Sequence, residues 1–575
     1  MNGRPVRLGP SAALRCRRRV HLDWAVGLER PVASASAHRA ITELAEHRAA
    51  ILSEVRAARG MPVHDADRSV LLPRDAEPSG DLLASAALAS EGPAPVVISP
   101  ALPDSQRSGW PDLLVWAGDG YQPVIIRAHR TLDPGRGAWC STFGDPAQVQ
   151  PHPTRRPRRN RVDVMALAHH YRQLTELGWA SSRARGGVIG RGDPGDRALV
   201  VWHDLAPRGD GSALADYDRR FADRLAVAGA AAGGAEPLAF PSRIAECRRC
   251  PWWPRCSAEL EQTGDVSLLV AGGDVALLQA AGVRTIDQLA QLPAELPAEV
   301  AAALRLSTAP VGQSRVRARA FQRGIPLVRI GRRGAIRRAD VELDVDSESY
   351  GQDGAYLWGT YLSGADVGFT PGYRPFATWQ PLPSVTEAEV FVQFHRYLLD
   401  VRAAAAARGL SFAAFCYART AEERWMRSIP LRYPEVPGMP TTREVAEFCA
   451  SPDWVDVHAE LKRLFLPTGS LRLKAVAGAL GFSWRDPEPG GENSLAWYRA
   501  AVGAGSAAAD PELAQRILRY NEDDVRATLE VREWLGRNGM TLPTVAELQA
   551  AAGVIDVTDV TDVTGAASAA PRPAG

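Results

Sequence analysis

Val341-Glu342-Leu343-Asp344-Val345-Asp346-Ser347-Glu348 alternates strictly between apolar or small residues and acids. A period of two predicts a β-strand with Val, Leu and Ser on one face and four carboxylates on the other. Like charges stacked along one strand face repel each other, so a fold hardly keeps them without counter-ions. A pair of divalent cations is the natural compensation. A solvated edge strand would need none. The following AYLWGTYL, however, reads as a second strand, which puts the acidic strand in an antiparallel pair inside a core.

A partner for this face stands near the other end of the chain. In ILRYNEDDVRATLEVREWL, Tyr520 and Asp524 are four residues apart on a predicted helix and therefore face the same side. Between them, FAAFCYARTAEERWM supplies a strand at Phe412 to Tyr417 and then Glu422.

At 575 residues the chain is too long for one ordinary core, and two to four domains are expected. Its 46% hydrophobic and 23% charged residues are those of a soluble globular protein. No run of eighteen apolar residues spans a membrane, and the N-terminal stretch lacks the apolar region of a signal peptide. A cytoplasmic location and no membrane partner are expected.

Strand-like segments PVVISP, DLLVWAGDG and YQPVIIRAHR follow a long amphipathic helix at Ser36 to Arg59. A second helix is predicted over Asp163 to Gly178, and ALVVWHDL is again a strand. ALLQAAGVRTIDQLAQL reads either as a helix–hairpin–helix fragment or as a plain pair of packed helices.

Three of the seven cysteines lie in CRRCPWWPRC as Cys247, Cys250 and Cys256, a C-x2-C-x5-C run. With the remote Cys16 they make a four-sulfur set that suits a [4Fe–4S] cluster or structural zinc, and ligand softness does not separate the two. Cys140, Cys416 and Cys449 lack ligand spacing and read as buried thiols.

An N-terminal cysteine followed by basic and aromatic residues, with a C-x2-C-x5-C group closing the domain, resembles the iron–sulfur nucleases of the RecB-like PD-(D/E)XK family. The resemblance implies that the cluster ties the two ends of that domain together. It also requires an acid at one strand start, then an acid and a lysine two apart on the next strand. Asp112 in WPDLLVW matches the first position. In Pro123-Val124-Ile125-Ile126-Arg127, Ile125 stands where the acid belongs and Arg127 where the lysine belongs. Arginine cannot give up its proton, so this front site is expected to be degenerate and the module to bind nucleic acid. A live site built from Asp112, His64 and another acid is the alternative. Gln173 matches the family's glutamine-containing helix weakly, whereas His129, His169 and His170 read as structural or surface residues.

The back half resembles the DEDD exonucleases of the ribonuclease H-like superfamily. Tyr520 and Asp524 match the third motif, Y-x3-D, and Asp346 and Glu348 match the opening D-x-E, with Asp344 and Asp346 as the pair if the register slips by two. Glu422 stands where the middle motif usually has aspartate. Asp456 in WVDVH, Lys474 in SLRLKAVAGALGF and the later SLAWYRAA follow the order seen in predicted exonuclease domains fused behind RecB-like modules. The resemblance implies that Asp346, Glu348, Glu422 and Asp524 hold two Mg2+ or Mn2+ ions about 4 Å apart, that Tyr520 positions the attacking water, and that digestion runs 3′ to 5′.

The expected fold class is therefore α/β and multidomain. Residues 1–260 form a PD-(D/E)XK restriction-endonuclease-like module with the four cysteines. Residues 261–310 are a small helical hairpin and 311–338 an arginine-rich connector. Residues 339–540 are a ribonuclease H-like mixed-sheet exonuclease domain, and 541–575 a segment with a disordered tail. Nine arginines lie between Arg315 and Arg338 with no acid among them, and others cluster at Arg15 to Arg19 and in TRRPRRNR. Arg155, Arg156, Arg158, Arg159, Arg332 and Arg333 are the candidates for phosphate contact, DNA or RNA being left open. The chain has no G-x4-G-K-[ST], so it is not itself an ATP-driven helicase, and a helicase partner fits. The rival readings are a nucleic-acid-binding protein with two decayed nuclease folds and a zinc-stapled scaffold.

Overall fold

A computed structural model describes residues 5–32, 35–58, 63–65, 95–100, 102, 105–192, 198–207, 211–270, 272–293, 295–296, 298–303, 310–487, 490–503 and 508–550. The chain divides into two units, residues 1–260 and 261–575. Among the described residues no helix is long and apolar enough to cross a membrane. The last twenty residues, 556–575, read as a disordered tail, lie outside the described residues, as does the His64 side chain.

Unit one begins with α1 (Arg17–Trp24) and α2 (Ala35–Ala57). Its strands are β1 (Val63–Asp65), β2 (Val96–Ile98), β3 (Leu113–Trp116), β4 (Tyr121–Arg130), β5 (Leu132–Pro134), β6 (Trp139–Ser141), β7 (Gln150–Pro151) and β8 (Arg155–Pro157), then, after α3 (Arg161–Glu176), β9 (Arg185–Arg191) and β10 (Val200–Asp204). Eight of them form one sheet in the order β1-β2-β3-β4-β9-β10-β6-β7, and β5 pairs β8 separately. The β2-β3-β4 meander is antiparallel and α3 carries the chain over to β9, parallel to β4. Alternation along β4 serves two cores. Val124 and Ile126 pack with Ile51, Leu52 and Val55 of α2, while Ile125 joins Met165 and Leu167 of α3. Asn160 caps α3 by accepting from the Val162 amide at 2.9 Å.

The unit closes with α4 (Ala213–Ala232) and α5 (Trp253–Thr263). Its ends are tied by polar contacts: Arg18 to Glu259 at 2.7 Å, Arg19 to Glu246 at 3.1 Å, and Trp252 Nε1 to Asp23 at 2.8 Å.

Unit two opens with α6 (Gly273–Ala280) and α7 (Ile286–Gln291), the segment read as a hairpin, packed on α9 (Val311–Gln322) through Leu278, Leu289 and Ala318. A further short helix, α8 (Ala298–Ala303), lies between them. The arginine-rich stretch is thus no mere connector. Arg315, Arg317, Arg319, Arg329 and Arg337 donate to backbone carbonyls of Leu292, Pro467, Ala290, Leu542 and Pro452, which cements neighbouring segments.

The main sheet comprises β12 (Val341–Tyr350), β13 (Gly354–Gly364), β14 (Gly372–Ala377), β15 (Phe412–Cys416) and β16 (Trp454–Asp456), while β11 (Leu327–Arg329) pairs β17 (Phe465–Pro467). The order β14-β13-β12-β15-β16 places the acidic strand in the centre, antiparallel to β13 and parallel to β15. The helices are α10 (Thr386–Ala407), α11 (Thr420–Arg432), α12 (Thr442–Ala450), α13 (Val457–Leu464), α14 (Leu473–Ala479), α15 (Gly491–Ala501), α16 (Pro511–Asn538) and α17 (Val545–Ala550). Val341, Leu343 and Val345 of β12 meet Phe391, Phe394 and Leu398 of α10 in one core. The four acids turn to the opposite face, against α16.

Candidate active site

The four acids of β12 separate into two pairs with different partners. Arg532 of α16 donates to both oxygens of Asp344, at 3.1 and 2.5 Å, and to Glu342 at 2.9 Å. Arg338 adds a 2.7 Å hydrogen bond to Glu342. Asp344 is thereby closed inside the domain, and the register alternative that assigned it to the metal set is not supported by its surroundings.

The other pair, Asp346 and Glu348, faces Asp524. Ligand oxygens of the three lie within 4.8 Å of one another, the one such group of His, Cys, Asp or Glu among the described residues. Each is steadied from behind. Asn521 Nδ2 donates to Asp346 Oδ2 at 2.8 Å, Ser494 Oγ to Glu348 at 3.1 Å, and Trp484 Nε1 to Asp524 at 2.6 Å. Asn521 is in turn close to β13, where a Cβ on Gly359 would collide with its side-chain oxygen.

Desolvation, followed by the charges of Asp524, Glu348 and Glu422, holds the Asp346 carboxyl well above its usual range. Burial and then the Asp524 charge push Glu348 up to about 8. Burial also raises Asp524, against the opposing pull of Lys474. Three carboxylates that resist ionising together are those a cation would ionise.

Glu422 lies beside this group but outside the 4.8 Å set. Ala418, at a φ of 65°, turns the chain from β15 into α11, which carries Glu422 in its first turn. Glu422 Oε1 accepts from Ser347 at 3.4 Å, its buried Oε2 has no hydrogen-bond partner, and burial lifts the carboxyl to about 7. Tyr520 is buried, and its hydroxyl accepts from Lys474 Nζ at 2.9 Å. Asp456 instead caps α13, accepting from the Ala459 amide at 2.9 Å.

Residues 435–536, from just before α12 through most of α16, match a family model of the RNase_H superfamily. The C-terminal domain is ribonuclease H-like. No curated protein and no solved structure matches the chain. The sheet of the ribonuclease H-like domain presents β12 and β15 side by side, so carboxylates from the acidic strand, from the turn after β15 and from α16 meet at one place. Such a domain implies a nucleic acid substrate, and its carboxylate cluster fits Mg2+ or Mn2+. Asn521, Ser494, Trp484 and Arg532 escaped the sequence reading. The signal for two of them was present: Asn521, Asp524, Thr528 and Arg532 recur at helical spacing on α16, and all are buried.

In unit one, Asp112 Oδ2 accepts from the Ile126 amide at 2.6 Å and Oδ1 pairs with Arg48 at 2.5 Å. Ile125 is buried in the core and Arg127 donates to Asp163 at 2.9 Å, so neither Ile125 nor Arg127 adds a metal ligand. His169 and His170 are buried and hydrogen-bonded, His170 to Gln173 at 2.8 Å, while Gln173 holds the Gly109 carbonyl at 2.9 Å. His129 pairs with Asp163 at 3.0 Å. These are structural contacts.

Cys16, Cys247, Cys250 and Cys256 line one small cavity, although no three of their sulfurs lie within 4.8 Å of one another. Burial pushes the Cys256 thiol up to about 11 and raises Cys247 and Cys250 as well. Cys140, Cys416 and Cys449 are buried thiols elsewhere.

Among the arginines, Arg158 pairs with Asp133 at 2.6 Å, while Arg156, Arg159, Arg332 and Arg333 are exposed. Arg155 lines a cavity of about 370 Å3 with Arg130, Arg191 and His152. The cluster at Arg15 to Arg19 is engaged within its own unit, with Asp23, Asp223, Glu259 and Glu246.

Proposed function

We propose that this chain is a metal-dependent nuclease whose ribonuclease H-like domain hydrolyses phosphodiester bonds, while unit one grips the nucleic acid. The observation that carries the reading is the approach of Asp346, Glu348 and Asp524 within 4.8 Å, with the orphaned oxygen of Glu422 beside them. Oxygen ligands converging in a desolvated site suit hard divalent cations. Two such ions, when bound, lower the pKa of a water and stabilise the departing 3′ oxygen. The protein's own groups do the rest. Asn521, Ser494 and Trp484 fix the carboxylates, and Tyr520 orients the water. The water oxygen bonds to phosphorus as the P–O3′ bond breaks, and the 3′ oxygen leaves as a hydroxyl.

Unit one is read as a RecB-like PD-(D/E)XK module. Helix α2, the β2-β3-β4 meander, the α3 crossover and parallel β9 support that reading. Its own active site is read as degenerate because Arg48 holds Asp112 and Ile125 is apolar. The four cysteines are read as ligands of a [4Fe–4S] cluster. Four thiolates lining one cavity suit a structural zinc as well, and it is the family resemblance that favours the cluster. Unwinding of duplex substrate would come from a helicase partner.

Digestion of matched DNA and RNA strands labelled at either end tests polarity and sugar. Stepwise loss from the 3′ end is expected, and internal cuts alone would refute the exonuclease reading. The other reading, a binding protein with two decayed nuclease folds, is favoured for unit one only, by Ile125 and the Arg48–Asp112 pair.

A further inference from the structure

Of the 67 basic side chains only two, Lys462 and Lys474, are lysines. In a chain that writes almost every positive charge as arginine, a lysine among the candidate metal ligands calls for a physical reason. Lys462 is exposed on α13. Lys474 is the cation at the carboxylate trio, with Nζ 2.9 Å from the Tyr520 hydroxyl and 3.6 Å from Asp524 Oδ1. Its ammonium also stands 4.3 Å from the Tyr520 ring centre and 5.1 Å from that of Trp484. The Lys474 side chain is 34% exposed and that of Asp524 10%, so the lysine is the more accessible member of the pair.

The same domain shows what arginine does in such a place. Arg532 takes both oxygens of Asp344. Arg485 pairs with Asp523 at 2.7 Å and Glu522 at 2.8 Å, and Arg516 forks onto Asp486 at 2.6 and 3.0 Å. A planar guanidinium matches a carboxylate bidentately and closes it, whereas an ammonium is a compact point charge that leaves the remaining lone pairs open.

Resting on the nuclease reading above, we propose that Lys474 is a catalytic residue whose ammonium meets a non-bridging oxygen of the scissile phosphodiester. Lysine is required there because arginine would close Asp524 as Arg532 closes Asp344. The phosphodiester brings a negative charge to a group of three acids, and Lys474, beside Asp524, is the positive group there to receive it. As the water attacks, charge grows on those non-bridging oxygens, and the ammonium is already in place.

The test compares wild type, Lys474→Arg and Lys474→Gln in the full chain, with Mn2+ affinity measured by calorimetry alongside kcat and KM on an end-labelled strand. Lys474→Arg should bind Mn2+ roughly 10- to 100-fold more weakly, the scale on which groups around a metal act. Lys474→Gln should bind Mn2+ at least as tightly as wild type, yet lose roughly 100- to 1000-fold in kcat, as when one charge-stabilising donor is removed. If Lys474→Arg failed to fold, Lys474→Gln alone would decide the phosphate contact. Wild-type cutting by Lys474→Gln, or wild-type Mn2+ affinity in a folded Lys474→Arg, overturns the inference and leaves the nuclease reading standing. Absence of cutting by wild type itself removes that reading first.

Discussion

Arg532 and Asp344 form a buried fork, guanidinium to carboxylate, at 3.1 and 2.5 Å, with neither side chain exposed. The contact divides an evenly acidic strand into a neutralised half and a half left for cations. It also sets a stability expectation. Removing one partner of a buried pair leaves an uncompensated charge, here on Asp344, whereas Glu342 keeps its hydrogen bond from Arg338. Arg532→Met is expected to cost about 3–5 kcal/mol in urea unfolding of the second unit. A loss below 1 kcal/mol would show that the fork contributes little.

Stability should fall as pH rises in metal-free protein. Glu348 and Glu422 have native values near 8 and 7 against an ordinary 4.5. Between 4.5 and those values the folded state keeps protons that the unfolded chain has lost, so stability is lost as pH climbs through that window. Mn2+ favours the ionised acids and should reverse the trend, which thermal melts from pH 5 to pH 8 with and without Mn2+ would detect. A flat or rising metal-free profile would contradict the assignment.

Anaerobically purified protein should be brown and absorb near 400 nm, by general cluster chemistry, with iron and sulfide in the preparation. Cys250→Ser should bleach it. A colourless protein holding one zinc per chain would return the four cysteines to a structural zinc site.

Arg130, Arg155 and Arg191 line the cavity in unit one, with Arg130 and Arg191 paired across β4 and β9. Each change to glutamine is expected to reduce the slope of log affinity against log salt by about one for a bound strand. Unaltered slopes in all three variants would place the grip elsewhere.

Much of this arrangement is legible from residue patterns, and the exceptions have causes. Period-two acids mark β12 and Y-x3-D marks the stripe on α16, since both depend on local spacing. The strand β9 is missed because Arg185 to Arg191 is rich in glycine, a poor strand former. The structure requires those glycines, since a Cβ at Gly187 would press on Val200 and Val124, and one at Gly186 on Leu167. The arginine-rich stretch misleads for another reason. Composition reveals charge but not partner, and Arg317 and Arg319 spend theirs on backbone carbonyls brought near by the tertiary fold. Asn521 shares the helical stripe of Asp524, but local spacing does not reveal its partner, because Asp346 lies 175 residues away.

Catalysis by the ribonuclease H-like domain is tested by cleavage of end-labelled single-stranded DNA and RNA in Mn2+ or Mg2+ by wild type and by Asp524→Ala. Stepwise shortening by wild type that disappears in the variant is the predicted result. Equal cutting by both would move the chemistry away from the ribonuclease H-like domain and rule out Asp524 as a metal ligand of the reaction.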